Sequence, residues 1–206
     1  MGTRERRARE KEQRRQDILD AARKLFWASG YEGTTMPQIA QAAELAAGTL
    51  YLYFPSKQAL YAELLIEGYD LLVGRLEGAI HADTPSRQQV EALIDVFMAF
   101  AREYPEYFDI IFFVVQREGH SVEGLDLPPQ QRQRLATRQD SCKQLASRAL
   151  ENAHVAGQGA ALALTVDAVW SMLAGVVLYF HRDEPNAFAA VAARAKQLII
   201  YSLFGG

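Results

Sequence analysis

The stretch that decides the fold runs from Thr34 to Tyr61 and reads TTMPQIAQAAELAAGTLYLYFPSKQALY. Thr34 or Thr35 can cap a first short helix, because a threonine oxygen accepts a hydrogen bond from the backbone near the helix start. Pro37 is tolerated in the first turn of such a helix. Glu44 then interrupts the helical pattern of apolar residues. The stretch therefore predicts two short helices joined by a tight turn.

The second short helix is predicted to begin at about Ala46. Leu50 and Phe54 lie four residues apart and are expected to face inward, which leaves Tyr51 and Tyr53 to point elsewhere. Exposed tyrosines are unusual on a short helix that only fills a core. They are typical of a helix that enters a DNA groove, as in helix-turn-helix proteins. The alternative is that both tyrosines pack in a small core with their hydroxyls in water.

The segment Thr49–Leu60, TLYLYFPSKQAL, resembles the signature of the tetracycline-repressor (TetR) family, and the resemblance extends over about Gln13 to Tyr69. The resemblance implies a homodimeric bacterial transcriptional regulator with an N-terminal helix-turn-helix domain and a helical ligand domain. It also implies a set of DNA-contacting residues. These are Thr35, Ala46, Ala47, Gly48, Thr49, Tyr51, Tyr53 and Lys57.

The expected DNA contacts follow from the chemistry of those side chains. Tyr51 and Tyr53 can donate hydroxyl hydrogen bonds to phosphate and pack their rings on thymine methyl groups. Lys57 lies near a helix start, where the positive helix end helps to hold a phosphate. The chain departs from the family's pattern at Glu44, where glycine is usual, and at Ala46, where a capping serine or threonine is common. With Ala47 also unable to donate to a base, we expect more of the readout to come from phosphates and DNA shape.

The composition indicates a globular protein of 206 residues whose net charge of −3 is unevenly distributed. Met1 to Lys57 holds 10 basic and 7 acidic residues, whereas the remainder holds 12 and 18, which suits a basic head that meets an anionic polymer. The single cysteine, Cys142, excludes an internal disulfide and a cysteine-based metal cage. We expect no cofactor, no metal and no membrane partner, and a cytoplasmic location, since no signal peptide is visible. The apolar stretch Ala160–Phe180 is interpreted as a buried helix, because Asp167 lies near its middle.

The rest of the chain predicts an all-α fold of about nine helices, with a head at 1–57 and a ligand-binding and dimerisation domain at 58–206. Met1–Gln13 is expected to be a flexible arm or an extension of the first helix that reaches DNA or is merely solvated. The other helices are expected at about 14–29, 57–81, 87–104, 106–117, 130–156, 160–181 and 185–204.

An aromatic cluster in the fifth and sixth helices is the candidate ligand pocket, joined by apolar residues of neighbouring helices. Taken alone, such a cluster more often forms packed core, but the resemblance favours a cavity for a hydrophobic or amphipathic effector. Arg117, His120, Arg134 and Arg138 are candidates for its mouth, or form a solvated face. The expected pocket residues are Leu64, Tyr69, Phe97, Phe100, Tyr104, Tyr107, Phe108, Phe112 and Trp170, with Phe113 in the same run.

The last two helices carry apolar stripes that pair either within the chain or with a second copy. On helix eight the stripe is Val166, Val169, Trp170, Leu173, Val177 and Phe180. The resemblance favours a homodimer through these helices, which would set the separation of two operator half-sites.

The sequence as a whole predicts a ligand-responsive, DNA-binding transcriptional regulator, a repressor released from a pseudo-palindromic operator by a fatty acid, an acyl thioester or an aromatic compound. The alternative is a small-molecule binding module whose recognition helix no longer reads DNA. An enzyme is not expected, because His81, His120, His154 and His181 are scattered and no nucleophile or phosphate-loop motif is present.

Overall fold

The structure is a computed structural model, and it describes residues 3–80, 84–114, 126–154, 159–180 and 185–205. Within these ranges the chain forms nine α-helices and no strand, so the prediction of an all-α fold is confirmed. The helices are α1 Thr3–Ser29, α2 Met36–Ala42, α3 Ala47–Tyr53, α4 Lys57–Ala79, α5 Ser86–Glu103, α6 Pro105–Asp109, α7 Pro129–Asn152, α8 Ala160–Phe180 and α9 Pro185–Phe204.

The chain divides into two compact units. The first, called the head below, comprises Met1–Glu67 with His120–Leu135, and the second, called the body, comprises Gly68–Gly119 with Ala136–Gly206. The head therefore contains the first part of α4 and the start of α7 in addition to α1–α3. A boundary after residue 57 stays a prediction for the functional domains, while the compact head continues ten residues further along α4.

The head is a small three-helix core built on the inner face of α1. Ile18, Ala22 and Phe26 are buried on this face at spacings of four, as expected for an amphipathic helix. Gly30 ends α1 at a φ of +72°, a conformation that favours glycine. The Thr34 hydroxyl then donates to the carbonyl oxygen of Gly30 at 2.8 Å, which holds the chain in the turn toward α2.

Side-chain hydrogen bonds cap the starts of two helices of the head, and the predicted threonine cap of α2 is one of them. Thr35 starts α2 in a capping box, in which Gln38 N donates to Thr35 Oγ1 at 3.4 Å and Thr35 N donates to Gln38 Oε1 at 2.8 Å. Ser56 caps α4, since Ala59 N donates to Ser56 Oγ at 3.1 Å. The start of α3 has no such bond, because Ala46 has no polar side chain.

Two predicted boundaries differ from the structure. The first helix begins at Thr3 rather than Arg14, so the N-terminal segment continues α1 as exposed helical turns. The helix expected at 106–117 is α-helical only over Pro105–Asp109 and continues as one π-helical turn, Ile110–Val114. Residues 115–125 and 155–158 lie outside the described residues.

The body packs α5, α6 and α8 around fully buried aromatic rings, with Phe97, Phe100 and Phe108 at its centre. Within the body, α4 comes close to α6 at Gly68, where an added Cβ would lie 2.8 Å from Tyr107 Cδ1. A glycine is therefore required there by close approach rather than by backbone conformation.

The expectation that Ala160–Phe180 is a buried helix is wrong for the single chain. Only 22% of its most apolar window is buried, and the same holds for Ala187–Phe204, although both helices are long and apolar enough to span a bilayer. The predicted stripe faces inward, since Val166, Leu173 and Val177 are buried. A second apolar row on α8, containing Leu164, Met172 and Tyr179, is exposed instead. Alternation around one helix cannot show which of two apolar faces the same chain covers.

Candidate nucleic-acid interface

The candidate DNA-contacting surface is the outer face of α3. Leu50 and Phe54 are buried as predicted and fix this helix on the head. Opposite them, Ala47, Gly48, Tyr51 and Leu52 are exposed, while Thr49 and Tyr53 are half-buried. The expectation that Tyr51 points away from the core is therefore confirmed at 50% exposure.

Leu52 is the residue of this face that the sequence reasoning missed. Its side chain is 82% exposed, the largest fraction among the exposed large apolar residues of the described chain. The signal was available, because Leu52 is two residues from the inward Leu50 and so lies on the opposite side of a helix with 3.6 residues per turn. Its apolar side chain can contact a thymine methyl group, as the ring of Tyr51 can.

The turn before α3 is held in a strained conformation. Glu44 has a φ of +56°, so the left-handed geometry expected where glycine is usual is confirmed. Leu45 N nevertheless donates to the carbonyl oxygen of Ala40 at 2.8 Å, which closes the turn through the backbone. Ala46 follows in an extended conformation and is exposed. The turn places α3 at a fixed angle to α2 without help from a capping side chain.

The two predicted phosphate ligands at helix starts are already engaged within the head. Thr35 is exposed, and its hydroxyl lies 2.8 Å from Gln38 Oε1 in the capping box. Lys57 Nζ donates to the carbonyl oxygen of Tyr31 at 2.8 Å and lies 4.1 Å from the centre of the Tyr31 ring. This cation therefore ties the start of α4 to the turn after α1. Two of its three donors remain for other acceptors.

A polar network around Glu63 fixes the first part of α4 within the head. Glu63 is only 9% exposed, and its Oε2 lies 2.7 Å from Arg15 Nη2 of α1. Gln131 Nε2 donates to Glu63 Oε1 at 2.9 Å, and Arg134 Nη1 lies 3.2 Å from the same oxygen. A buried carboxylate requires such donors, because removing it from water without partners is costly. No sequence signal predicted this network, since the partners of Glu63 lie 48 to 71 residues from it along the chain.

Residues 18–64 match the family of bacterial regulatory proteins described as the tetR family, and they contain α2, α3 and their turn. The part of this chain that contains α2 and α3, residues 18–64, belongs to the tetR family. The match lies within Gln13–Tyr69, the region over which the sequence resembles the family, and it includes the signature Thr49–Leu60. The prediction of the family is confirmed.

Two curated regulators are similar to the first part of this chain. The transcriptional activator FasR of Mycolicibacterium smegmatis is 31% identical over 102 residues, 50% of this chain and 47% of FasR. The transcriptional repressor KstR2 of Rhodococcus jostii is 37% identical over 81 residues, 39% of this chain and 40% of KstR2. The chain thus matches less than half the length of each relative.

The fold likeness extends over nearly the whole chain. The solved structure of the regulator FadR from Bacillus subtilis in complex with stearoyl-CoA has a TM-score of 0.70 and 17% identity. The superposition covers 91% of this chain and 98% of FadR. At this identity the likeness establishes the shared helical architecture of the body.

The second candidate site of this protein is the aromatic cluster of the body. Phe97 contacts the rings of Phe108, Phe112 and Trp170 with centroid distances of 5.2, 5.2 and 4.7 Å. Phe100 lies 6.5 Å from Phe108. These predicted pocket residues are therefore brought together, and their rings pack directly against one another at distances typical of aromatic pairs.

The cavity beside this cluster is small and apolar. It has a volume of about 40 Å³, and Phe97 and Trp170 are the predicted pocket residues that line it, together with residues of α5, α7 and α8. This volume is of the size that holds one water molecule. A ligand of the size of a fatty acid requires the surrounding side chains to move apart, and the pocket stays a prediction.

The three tyrosines of the predicted pocket do not line this cavity. Tyr69 Oη accepts a hydrogen bond from Gln139 Nε2 at 3.3 Å, and burial raises the pKa of Tyr69 to about 12. Tyr104 Oη accepts from Arg75 Nη2 at 3.2 Å, while Tyr107 is buried beside Gly68. Leu64 is fully buried and belongs to the head rather than to this unit.

The proposed cationic mouth is not an unpaired cluster. Arg134 pairs with Glu63 in the head, and Arg138 Nε lies 2.5 Å from Asp70 Oδ1 in the body. Arg117 and His120 lie outside the described residues. Across the described ranges, no group of three or more histidine, cysteine, aspartate or glutamate side chains is placed to hold a metal ion.

Proposed function

We propose that this protein is a DNA-binding transcriptional regulator that places α3 in the major groove. The exposed face of α3 carries the proposal, because it combines Tyr51 and Leu52 with two residues, Ala47 and Gly48, that let the helix approach the base edges closely. The tetR-family match over residues 18–64 supports the same assignment.

The chemistry of this face favours apolar and backbone contacts over direct hydrogen bonds to bases. Tyr51 and Leu52 fit thymine methyl groups, and the hydroxyls of Tyr51, Tyr53 and Thr49 fit phosphate oxygens. We therefore propose an operator whose recognition depends on thymine methyl groups and on DNA shape.

The test is a selection of genomic fragments by the purified protein at one stated salt concentration, followed by anisotropy titrations of the recovered duplexes. We expect a pseudo-palindrome, and we expect Tyr51→Ala to weaken its binding by about 1–3 kcal/mol. Tyr51→Phe keeps the ring, so it separates the methyl contact from the phosphate contact. Weak binding that depends steeply on salt and shows no sequence preference would instead support the small-molecule binding module, which the apolar Ala46–Gly48 segment favours.

We also propose that the protein works as a homodimer through α8 and α9. Helix α8 carries an exposed apolar row that contains Leu164, Met172 and Tyr179. The following helix, α9, carries a second one that includes Leu198 and Tyr201. Two copies related by a two-fold axis can bury these rows against each other as a four-helix interface. This interface would also cover the apolar surface that makes both helices resemble membrane spans. Met172→Glu should give a monomer in sedimentation, whereas Arg148→Glu on the exposed side of α7 should not.

The effector that we propose is a hydrophobic or amphipathic molecule that enters the aromatic cluster of the body. Apolar lining around the small cavity supports this chemical class, and so does the π-helical turn Ile110–Val114, since such turns often occur at functional sites. The stearoyl-CoA bound by FadR, which shares the fold, places long-chain acyl thioesters first among the ligands to test.

The proposed mechanism is repression that the effector relieves. Effector and operator must weaken each other's binding by the same factor, because both act on one equilibrium between two states of the dimer. Anisotropy with and without stearoyl-CoA tests this directly. An unchanged operator affinity at a ligand concentration that saturates the body would contradict it, and tighter binding would indicate a corepressor or an activator.

A further inference from the structure

The inner face of α1 continues beyond the head core as a row of cations. Ile18, Ala22 and Phe26 occupy this face where it is buried. Steps of three and four residues back from Ile18, which follow one face of a helix, reach four basic residues. These residues, called the basic stripe below, are Arg14, Lys11, Arg7 and Arg4, and all four are exposed.

The acidic residues of the same segment lie at the edge of the stripe or on other sides of α1. Glu10 is at the edge, three residues after Arg7, and pairs with Arg6 at 3.3 Å, while Glu5 and Glu12 are each one residue out of the register of the stripe. Arg14 reaches Asp17 only at 3.9 Å. The stripe therefore presents Arg4, Arg7 and Lys11 to the solvent at successive positions three or four residues apart, and only Arg14, at its end, has a long contact with an acid.

Such spacing is unfavourable for a helix that is only solvated. Like charges three or four residues apart repel each other on a helix surface, whereas a solvated helix gains from alternating signs. The stripe contains three such pairs in succession, from Arg4 to Arg7, to Lys11 and to Arg14. The repulsion is relieved when an anionic surface lies along the row.

The residue next to the stripe fixes its place relative to the recognition helix. The Arg15 guanidinium lies 5.0 Å from the centre of the Phe54 ring, and Phe54 directly follows α3. The Arg15–Glu63 ion pair holds the same side of α1 against α4. The stripe therefore starts beside the C-terminal end of α3 and extends away from it for about 15 Å, at 1.5 Å per residue.

We propose that the basic stripe binds the phosphate backbone of duplex DNA beside the base pairs that α3 contacts. The inference rests on the proposed DNA-binding function and adds a second contact surface to it. About 15 Å corresponds to four or five phosphates along one strand, at about 3.4 Å each. Arginine and lysine on long flexible side chains are the usual ligands of these phosphates.

The experiment compares two triple variants that lose the same charge from opposite sides of α1. The stripe variant is Arg4→Gln, Arg7→Gln and Lys11→Gln, and the control is Arg6→Gln, Arg9→Gln and Lys24→Gln. All six residues are exposed, and arginine, lysine and glutamine have similar helix propensities. Circular dichroism verifies equal helix content. Anisotropy then measures binding to the selected duplex between 50 and 200 mM salt. The duplex is used in two lengths: one ends at the selected site, and the other has about 10 additional base pairs on each side.

We expect the plot of log binding constant against log salt concentration to become less steep for the stripe variant, by about 0.9 in slope for each phosphate contact removed. For three contacts, the affinity ratio of wild type to stripe variant falls roughly forty-fold between 50 and 200 mM salt. The flanking base pairs should strengthen binding by the wild type and the control, and should leave the stripe variant unchanged. Equal slopes for the two triple variants, or no gain from flanking DNA in the wild type, would overturn the inference.

The experiment also separates failure of the inference from failure of the proposed function. If wild-type protein selects a site, Tyr51→Ala removes that preference and the two triple variants bind alike, then only the stripe inference fails. If wild-type protein binds no duplex specifically, the proposed function fails and the stripe inference falls with it.

Discussion

In the head, α3 leaves a tyrosine and a leucine in solvent, whereas in the body the phenylalanines of α5 and α6 are packed ring against ring. The head instead buries a carboxylate, Glu63, among donors from α1 and α7. In an ordinary small domain the apolar side chains would fill the core and the charges would lie outside. The difference fits the proposed functions, because the outer face of α3 stays exposed for contact with DNA while the rings of the body are closed against one another.

The largest effect on stability is expected from the centre of the body. Phe108 is fully buried and contacts Phe97, Phe100 and Phe112, so Phe108→Ala should cost about 3–5 kcal/mol of unfolding free energy. Leu52→Ala in the head should change it by less than about 0.5 kcal/mol, because that side chain is exposed. Urea denaturation measures both. Comparable losses would mean that α3 packs in a way that its exposure does not reveal.

Thiol chemistry distinguishes the buried body from the exposed face of α3. Burial raises the pKa of the Cys142 thiol to about 12 from an ordinary value of about 9. Because the thiolate is the reactive form, labelling of native protein at pH 7.5 should be slower than in urea by about a thousandfold, or by more if access also limits it. A cysteine introduced by Leu52→Cys should react at nearly the rate of a free thiol. Fast labelling of Cys142 would show that the body opens readily.

The same shifts give the direction of the pH dependence. Both Cys142 and Tyr69 have pKa values near 12 in the folded body, above their ordinary values, so the folded state keeps protons that the unfolded state releases. Their contribution to stability is therefore complete below about pH 9 and is lost as the pH rises toward 12. The melting temperature of Cys142→Ala should fall less steeply than that of wild type between pH 8.5 and 10.5. Identical slopes would exclude Cys142 as a cause.

Substitutions at two glycines of α4 compare a position in close contact with α6, Gly68, with a position that has open space around it, Gly74. Gly68→Ala places a methyl group 2.8 Å from Tyr107 Cδ1 and 3.0 Å from Ile111 Cδ1, which should cost about 1–3 kcal/mol. Gly74 has no atom within 4 Å of the new methyl group, so Gly74→Ala should stabilise by up to about 1 kcal/mol. Thermal unfolding of both variants gives the comparison. Stabilisation by both would show that α6 moves away without cost.

These contrasts explain which features the sequence could predict. The cap of α2 at Thr35, one of two candidate threonines, and the inward Leu50 depend on neighbours within about five residues, and both were predicted correctly. The Glu63 network joins residues that are far apart in the chain, so no local pattern contains it.

The body was harder to predict for a related reason. Its helix α8 is apolar on two faces, so hydrophobic spacing alone did not show that Val166 faces inward and Met172 faces solvent. The aromatic run in α5 and α6 predicted that the rings meet. Whether they enclose a ligand depends on how far they separate, and a sequence pattern does not contain that information.

The smallest expected effect concerns the start of α3 and bears on why the head has this form. α2 and α3 both have seven residues, but Thr35 caps α2 with a capping box whereas Ala46 leaves α3 without a side-chain cap. Ala46→Ser should stabilise the head by about 1 kcal/mol, and Glu44→Gly by a similar amount because glycine adopts a positive φ without strain. If these two substitutions raise the melting temperature and weaken operator binding, the uncapped start of α3 contributes to DNA binding, since the backbone N–H groups that are left uncapped in the wild type can donate to phosphate. If they raise stability and leave binding unchanged, the missing cap is a tolerated defect, and contact depends on Tyr51, Leu52 and the backbone further along α3.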